Sequence, residues 1–404
     1  MMRAWQIWFG LGGTAAFFLA FGVYWWTLPE PMDEVELEPG QEAVGFDDLA
    51  GWQDDDHAAA FAAFRISCAP IIKRADALAR KKSTKKSRYA SLEPACRKAL
   101  ALGDAVSDSQ ARDFFEANFT PVRFSEPGPD GLVTGYYEPE LPGSRTQSER
   151  FNVPVYRKPD DLVQLYPDRE RAKRNHQMTA GRKTKDGVVP YFDRQEIEEG
   201  ALEGRGLELV YLEDPVEAFY MHIQGSARIA LDEGGYMRIG FAAKNGFPYT
   251  SIGNLMIKRG TLPRSKMSMK GIRTWMAANP EEAEKLRWEN RSYIFFRELP
   301  RTLSGTGPVG AQGVSLSPRR SLAVDTSIHL LGTPIWVDAP KLKSHGHDGF
   351  SHLMIAQDAG SAIKGRERGD IFWGSGDAAG KVAGRTKHKA TFTMLLPKRT
   401  LPES

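Results

Sequence analysis

From Leu132 to the C-terminus the chain consists of short apolar or alternating runs cut by Gly and Pro, and no other feature restricts its fold as much. "GLVTGYYEPELPG" (131–143), "AFYMHIQGSARIAL" (218–231), "SYIFFRE" (292–298), "SLAVD" (321–325), "TPIWVD" (333–338), "HLMIAQD" (352–358) and "TFTMLL" (391–396) are of this kind. Runs of that length between turn residues read as strands. The first ends at a Pro-rich turn; the second alternates, breaks at Gly225 and resumes. Between them and the later runs the texture turns helical. Thr250 and Ser251 cap a helix ending at Gly260, Ser268 opens one to Ala278, and Asn279 opens a third with Pro280, Glu281 and Glu282 in its first turn. Strands, helices, then strands predict a mainly β chain of the α+β class, with a β core interrupted by an inserted subdomain. The 404 residues suffice for two domains or one large one.

Upstream the patterns are helical. His57 to Ala79 is Ala-rich, and Ser107 to Gln110 forms a capping box for a helix through Phe114, Phe115 and Phe119. Lys73 to Arg88 carries eight basic residues. They read first as a solvated face, with contact to an anionic wall polymer or lipid headgroups as the alternative. Earlier still, Trp5 to Leu28 is a 24-residue stretch without a charge. As a helix it would span about 36 Å, enough for a bilayer core of about 30 Å. Arg3 precedes it, and eleven acidic residues with no Lys or Arg follow between Glu30 and Asp56. The positive-inside tendency therefore predicts an uncleaved anchor in residues 1–28 with the body outside the cytoplasm. A cleaved signal peptide is the alternative. Residues 29–56 read as an acidic tether. The formal net charge of +3 argues against a nucleic-acid partner. The two cysteines, Cys68 and Cys96, are either a disulfide or two buried thiols.

Chemistry concentrates in "QDAGSAIKGRERGDIFWGSGDAAG" (357–380). It lacks the Lys-Ser/Thr of a phosphate loop and stands outside any βαβ alternation, so its glycines read as a turn beside a ligand cleft. "KSHGHDGFSH" (343–352) offers His345, His347 and His352, which read as a hairpin tip; no metal is expected. No G-x-S-x-G elbow is present. Asp325-Thr-Ser and Asp358-Ala-Gly-Ser are reminiscent of aspartic-protease turns, but lie only 33 residues apart, too close for two large lobes. Asp358 ends an apolar strand, a place suited to accepting loop amides. Asp370 follows a charged loop and precedes "IFWG", so apolar walls can keep its acid form. Each unit of pKa above about 3.9 costs roughly 1.4 kcal/mol, so protonation near neutrality needs about 3–4 kcal/mol. Asp370 is the better acid, and Asp377 a turn residue.

These residues resemble the membrane-bound lytic murein transglycosylase A family. The resemblance rests on "TGYYEPELPGS" (134–144), "YMHIQGSARI" (220–229), "AAKNGFPYTSIGNLMIKRG" (242–260), "SYIFFRE" (292–298), "GPVGAQGVSLSPRRSLAVDTSIHLLGTPIWV" (307–337) and "IAQDAGSAIKGRERGDIFWG" (355–374). The last two correspond to the region called 3D after three aspartates, here Asp325, Asp358 and Asp370. The resemblance implies a double-psi β-barrel (57–142 and 293–397, the 3D region from about 320) and an inserted, smaller β-rich domain (143–292). It implies nonhydrolytic cleavage of the β-1,4 bond between N-acetylmuramic acid and N-acetylglucosamine to a 1,6-anhydro product. Asp370 is then the catalytic residue, Asp358 and Asp325 support it, and Thr134, Tyr136, Gln224, Gly225 and Ser226 line the sugar cleft. No cofactor is implied. The expected partners are peptidoglycan strands, the membrane through residues 5–28, and cell-wall synthesis or hydrolysis proteins. The expected location is the periplasm, at the inner membrane; periplasmic or outer-membrane association after signal cleavage is the alternative. Relatives with a lipid-bearing Cys differ here, because residues 5–28 contain none. Glu138 reads as a surface strand residue, or, if it faced the cleft, as a second carboxylate. A non-enzymatic wall-binding scaffold and an aspartic-type protease are the competing functions.

Overall fold

The computed structural model describes residues 37–81, 87–124, 131–166, 177–300, 307–343 and 349–398. Leu37–Pro397 form one unit. The second unit, Met1–Glu36 with Lys398–Ser404, falls outside the described residues except for Lys398. The anchor reading of residues 5–28 therefore lies outside them, as do 29–36 of the tether, 82–86 of the basic run, His345 and His347. Among the described residues no helix is long and apolar enough to cross a membrane.

Three helices open the unit: His57–Arg80, Glu93–Leu102 and Asp108–Asn118. Asp56 caps the first by accepting from Ala59 N at 2.9 Å, and Ser107 with Gln110 makes the predicted capping box on the third. Phe61, Phe64, Phe114, Phe115 and Phe119 stack between them, mostly edge to face. Fully burying one such ring is worth roughly 1.5–3 kcal/mol. Cys68 and Cys96, both fully buried, form a disulfide between the first two helices. The acidic segment before them is no tether over its described part. Gln41–Ala43 pairs with Phe119–Phe124, Trp52 is 1% exposed, and Asp55 binds Arg320 and His352. An indole and a partnered carboxylate hold this stretch to the body where composition alone suggested a solvated chain.

The described strands form three sheets. In the first, nine strands run in the order Gln41–Ala43, Phe119–Phe124, Thr391–Pro397, Pro334–Ala339, Phe350–Asp358, Ser321–Val324, Arg368–Ser375, Leu132–Glu138, Lys387–Lys389. Its pairing is antiparallel except for Ser321–Val324 with Phe350–Asp358 and Arg368–Ser375 with Leu132–Glu138. Among the described residues this pairing does not close on itself. The second sheet orders Ile294–Glu298, Tyr236–Lys244, Ser226–Leu231, Glu140–Ser144, Glu208–Leu212 and Val153–Tyr156. A third has three short strands, Leu162–Gln164, Ala180–Thr184 and Gly187–Pro190. The fold is thus mixed α+β and mostly sheet, as expected.

Three expectations change. "GLVTGYYEPELPG" is two strands, because Pro139, without an N–H, separates Leu132–Glu138 in the first sheet from Glu140–Ser144 in the second. Ile294–Glu298 also pairs in the second sheet, which therefore extends past both expected bounds of the insertion, 143 and 292. The run "AFYMHIQ" is helical, within Pro215–Gln224. Asp214 accepts from Val216 N at 2.7 Å, Pro215 supplies a preset φ at the first turn, and Gly225 ends the helix at φ 79°. These signals outweigh the apparent alternation; the strand Ser226–Leu231 starts only afterwards.

Candidate active site

In the first sheet, Ser321–Val324 separates the strands that carry Asp358 and Asp370, and Ala323 stands in register with both. On the far side of Asp370 lies Leu132–Glu138, with Thr134 beside Asp370 and Tyr136 beside Phe372. Alternate residues of a strand share a face, so Thr134 and Tyr136 point the same way. Thr134 Oγ1 donates to Asp370 Oδ1 at 2.6 Å, and Tyr136 OH donates to Asp358 Oδ2 at 2.8 Å. The other oxygen of Asp358 accepts from Ala311 N at 2.8 Å and Ala359 N at 2.9 Å. Asp358 is fully occupied.

Asp370 is half-buried and has only Thr134 as a side-chain donor among the contacts described. Loss of solvent pushes its carboxyl up to about 6, against the lowering effects of Thr134 and Arg368, and Asp358 adds to the rise. Burial also raises Asp358, although its three donors pull the other way. Tyr136 is held well above the phenol range by burial and by the two carboxylates, and therefore stays a donor. Its ring is 9% exposed and packs on Phe372 at 5.4 Å. Its hydroxyl, rather than its ring face, meets the carboxylates.

Arg368 was not singled out in the sequence. Its Nη2 donates to Thr134 Oγ1 at 2.8 Å, and Nη1 donates to the carbonyls of Leu132 and Gly369. Period two was the available signal, since Arg368 and Asp370 lie two apart on one strand.

Asp325 is part of a different arrangement. It accepts from Ser327 N and Oγ, from Gly365 N at 3.0 Å, and from Lys364 at 3.5 Å. Burial alone would raise its carboxyl; these donors prevail and hold it below the usual range. It ties the turn after Ser321–Val324 to the loop leading into the Asp370 strand. Asp377 lies in the first turn of the helix Gly376–Ala383, where a carboxylate suits the helix dipole. Gly374 (φ 112°) and Gly376 (φ 79°) make the sharp passage from strand to helix that glycine permits.

The helix Pro215–Gln224 brings the other predicted group to the same strand. Gln224 Oε1 accepts from Tyr137 N at 3.1 Å, and Gly225 and the buried Ser226 follow directly. Glu138 departs from both of its readings. It is 0% exposed and bound by Arg238, with Nε to Oε1 at 2.9 Å and Nη2 to Oε2 at 3.0 Å, and by Ser375 Oγ at 2.6 Å. Neither surface nor cleft holds it; it joins the first sheet to the second. His352 Nδ1–H donates to Asp55 Oδ1 at 2.6 Å, and its Nε2 accepts from Arg319 Nη2 at 3.2 Å. No group of three or more metal-ligating side chains occurs among the described residues. A cavity of about 530 Å³ among the helices Pro215–Gln224, Met269–Ala278 and Pro280–Trp288 includes none of the predicted site residues.

An α+β frame that raises one carboxyl to about 6 beside a fully hydrogen-bonded second has the make-up that general acid–base chemistry calls for. Two family models match: the MltA specific insert domain over residues 132–297 and the 3D domain over 320–396. The membrane-bound lytic murein transglycosylase A of Vibrio cholerae is 35% identical over 64% of this chain and 63% of its own length. The chain thus spans slightly less than two thirds of that curated relative. A membrane-bound lytic murein transglycosylase from Agrobacterium tumefaciens superposes with TM-score 0.77 at 37% identity, over 89% of this chain and 98% of that one. Escherichia coli MltA, solved with bound chitohexaose, gives TM-score 0.56 at 28% identity, over 78% and 84% of the two chains. The chain belongs to the membrane-bound lytic murein transglycosylase A family.

Proposed function

We propose that this protein is a peptidoglycan lytic transglycosylase, with Asp370 acting first as acid and then as base. The observation that carries the mechanism is the unequal state of the two carboxyls: Asp370 is raised to about 6, while Asp358 has both oxygens occupied. A hydrolytic glycosidase needs a second carboxylate, to attack C1 or to activate water. Asp358 is held by three donors, and Glu138 is locked in its ion pair with Arg238. The substrate's own C6 hydroxyl takes the place of water. Asp370 gives its proton to the leaving O4 of N-acetylglucosamine as the C1–O4 bond breaks. The C6 oxygen of N-acetylmuramic acid then closes on C1, an intramolecular attack favoured by effective molarity, and its proton returns to Asp370. No water is consumed.

The glycan bound to the Escherichia coli relative supports a saccharide substrate. Gln224, Gly225 and Ser226 line the cleft in this reading, with polar groups suited to acetamido substituents, and Asp325 supports the loop. The two parallel ladders of the first sheet support a double-psi barrel, with the second and third sheets as the inserted domain. Residues 5–28 anchor the protein to the inner membrane with its body in the periplasm. The protein is incubated with purified sacculi and the reducing ends are weighed by mass spectrometry. Anhydromuropeptides are expected; ends heavier by one water would show hydrolysis and sink the mechanism.

A further inference from the structure

We propose that Arg368 is a positioning residue of this site: it occupies a lone pair of Thr134 Oγ1 and so directs the single hydroxyl proton of Thr134 at Asp370. The inference rests on the acid–base role given to Asp370 above. A guanidinium only donates, so at 2.8 Å Thr134 must accept from it. A threonine hydroxyl has one proton to give, and its partner at 2.6 Å is Asp370 Oδ1. Oδ1 therefore accepts in both states of the carboxyl, and the transferable proton sits on Oδ2. In the acid step that proton moves from Oδ2 to the leaving O4; in the closing step the C6 hydroxyl's proton arrives at Oδ2. Arg368 thus selects which oxygen does the chemistry. Its second nitrogen, bound to the carbonyls of Leu132 and Gly369, fixes the fork to both strands. A lysine has no such fork.

The charged and titratable groups around Asp370 separate cleanly. Asp358 and Tyr136 face it across the site, and Arg368 shares its strand. Asp325 is paired with Lys364, Glu138 with Arg238, and Lys387, opposite Thr134 on the edge strand, is exposed. Arg368 is the cation whose removal Asp370 senses.

The test is the pH profile of kcat/KM for anhydromuropeptide release by wild type, Arg368→Met, Arg368→Lys, Thr134→Val and the double variant Thr134→Val/Arg368→Met, each checked for folding by thermal melting. Arg368→Met is expected to move the alkaline limb up by about one pH unit, since a neighbouring cation is lost. Its kcat falls roughly tenfold or more because the acid is misplaced. Arg368→Lys keeps the limb near wild type while kcat stays low. The double variant loses no more kcat than Thr134→Val alone, as a single relay requires. A lower rate with an unmoved limb, or additive losses, would show only a strand staple and overturn the proposal. If Arg368→Met does not fold, Arg368→Lys decides alone: unchanged kcat overturns the relay. Wild type releasing no anhydro product is a failure of the transglycosylase reading instead. In that event the Asp370 titration, followed by carboxyl carbon NMR in wild type and Arg368→Lys or Arg368→Met, still reads the relay, and an unmoved titration in Arg368→Met overturns it.

Discussion

Asp370 is poised at a cost to the fold, and that gives two measurements with known sign. Its folded carboxyl is raised from 3.8 to about 6, so the native state holds the proton more tightly than the unfolded chain. This contribution is fully present below about pH 4 and is lost as pH rises through about 6. Asp370→Asn keeps a neutral acceptor for Thr134 and loses that liability. Its melting temperature is expected to exceed that of wild type at pH 7.5 by a few degrees, for about 1–2 kcal/mol after allowing for partial exposure. The gap closes at pH 4; a gap independent of pH would show that ionisation of Asp370 is not the cause. The same variant releases no anhydromuropeptide while still binding sacculi. Asp358→Asn acts on the pH profile with the opposite sign to the loss of Arg368. It removes a negative neighbour, so the alkaline limb of kcat/KM moves to lower pH; an upward shift in the profile would refute the assigned coupling.

Element boundaries decide what reaches this site. The helix Pro215–Gln224 places Gln224 against Tyr137 because it stops at Gly225, in a left-handed conformation with open space around it. Gly225→Ala meets no clash, only backbone strain of roughly 1–2 kcal/mol. It is expected to raise KM for glycan strands several-fold with a smaller effect on kcat, measured by steady-state kinetics; equal changes in both would place Gln224 outside substrate binding. Sequence reading found the helices opened by Ser107, Ser251 and Ser268 from their caps, and each side chain does accept a helix-start amide. Asn279 also precedes a helix, but its amide donates to Trp275 O instead, which a cap rule cannot see. "AFYMHIQ" was misread because its caps lie outside the alternating run. Local pattern and local termination compete, and termination won.

For the molecule as a whole, the connections that matter join segments far apart in sequence. Glu138 of the first sheet, itself wholly buried, binds Arg238 of the second and accepts from Ser375 Oγ of its own sheet. Glu138→Ala removes the buried carboxylate of this ion pair and should cost about 3 kcal/mol in a denaturant melt; a change below 1 kcal/mol would mean that the pair carries little. By itself the sequence determined the α+β class, most strand positions and the capping of the helices opened by Ser107, Ser251 and Ser268, because these depend on residue type and spacing within a few positions. Its family resemblance supplied the ordered segments that the comparisons then matched. Only the tertiary structure decided that the acidic stretch before His57 is held by Trp52 and Asp55, that Glu138 is an internal ion pair, and that Arg368 commands Thr134. Each depends on partners 100 or more residues away, whose approach is set by sheet register and packing, and no local pattern encodes it.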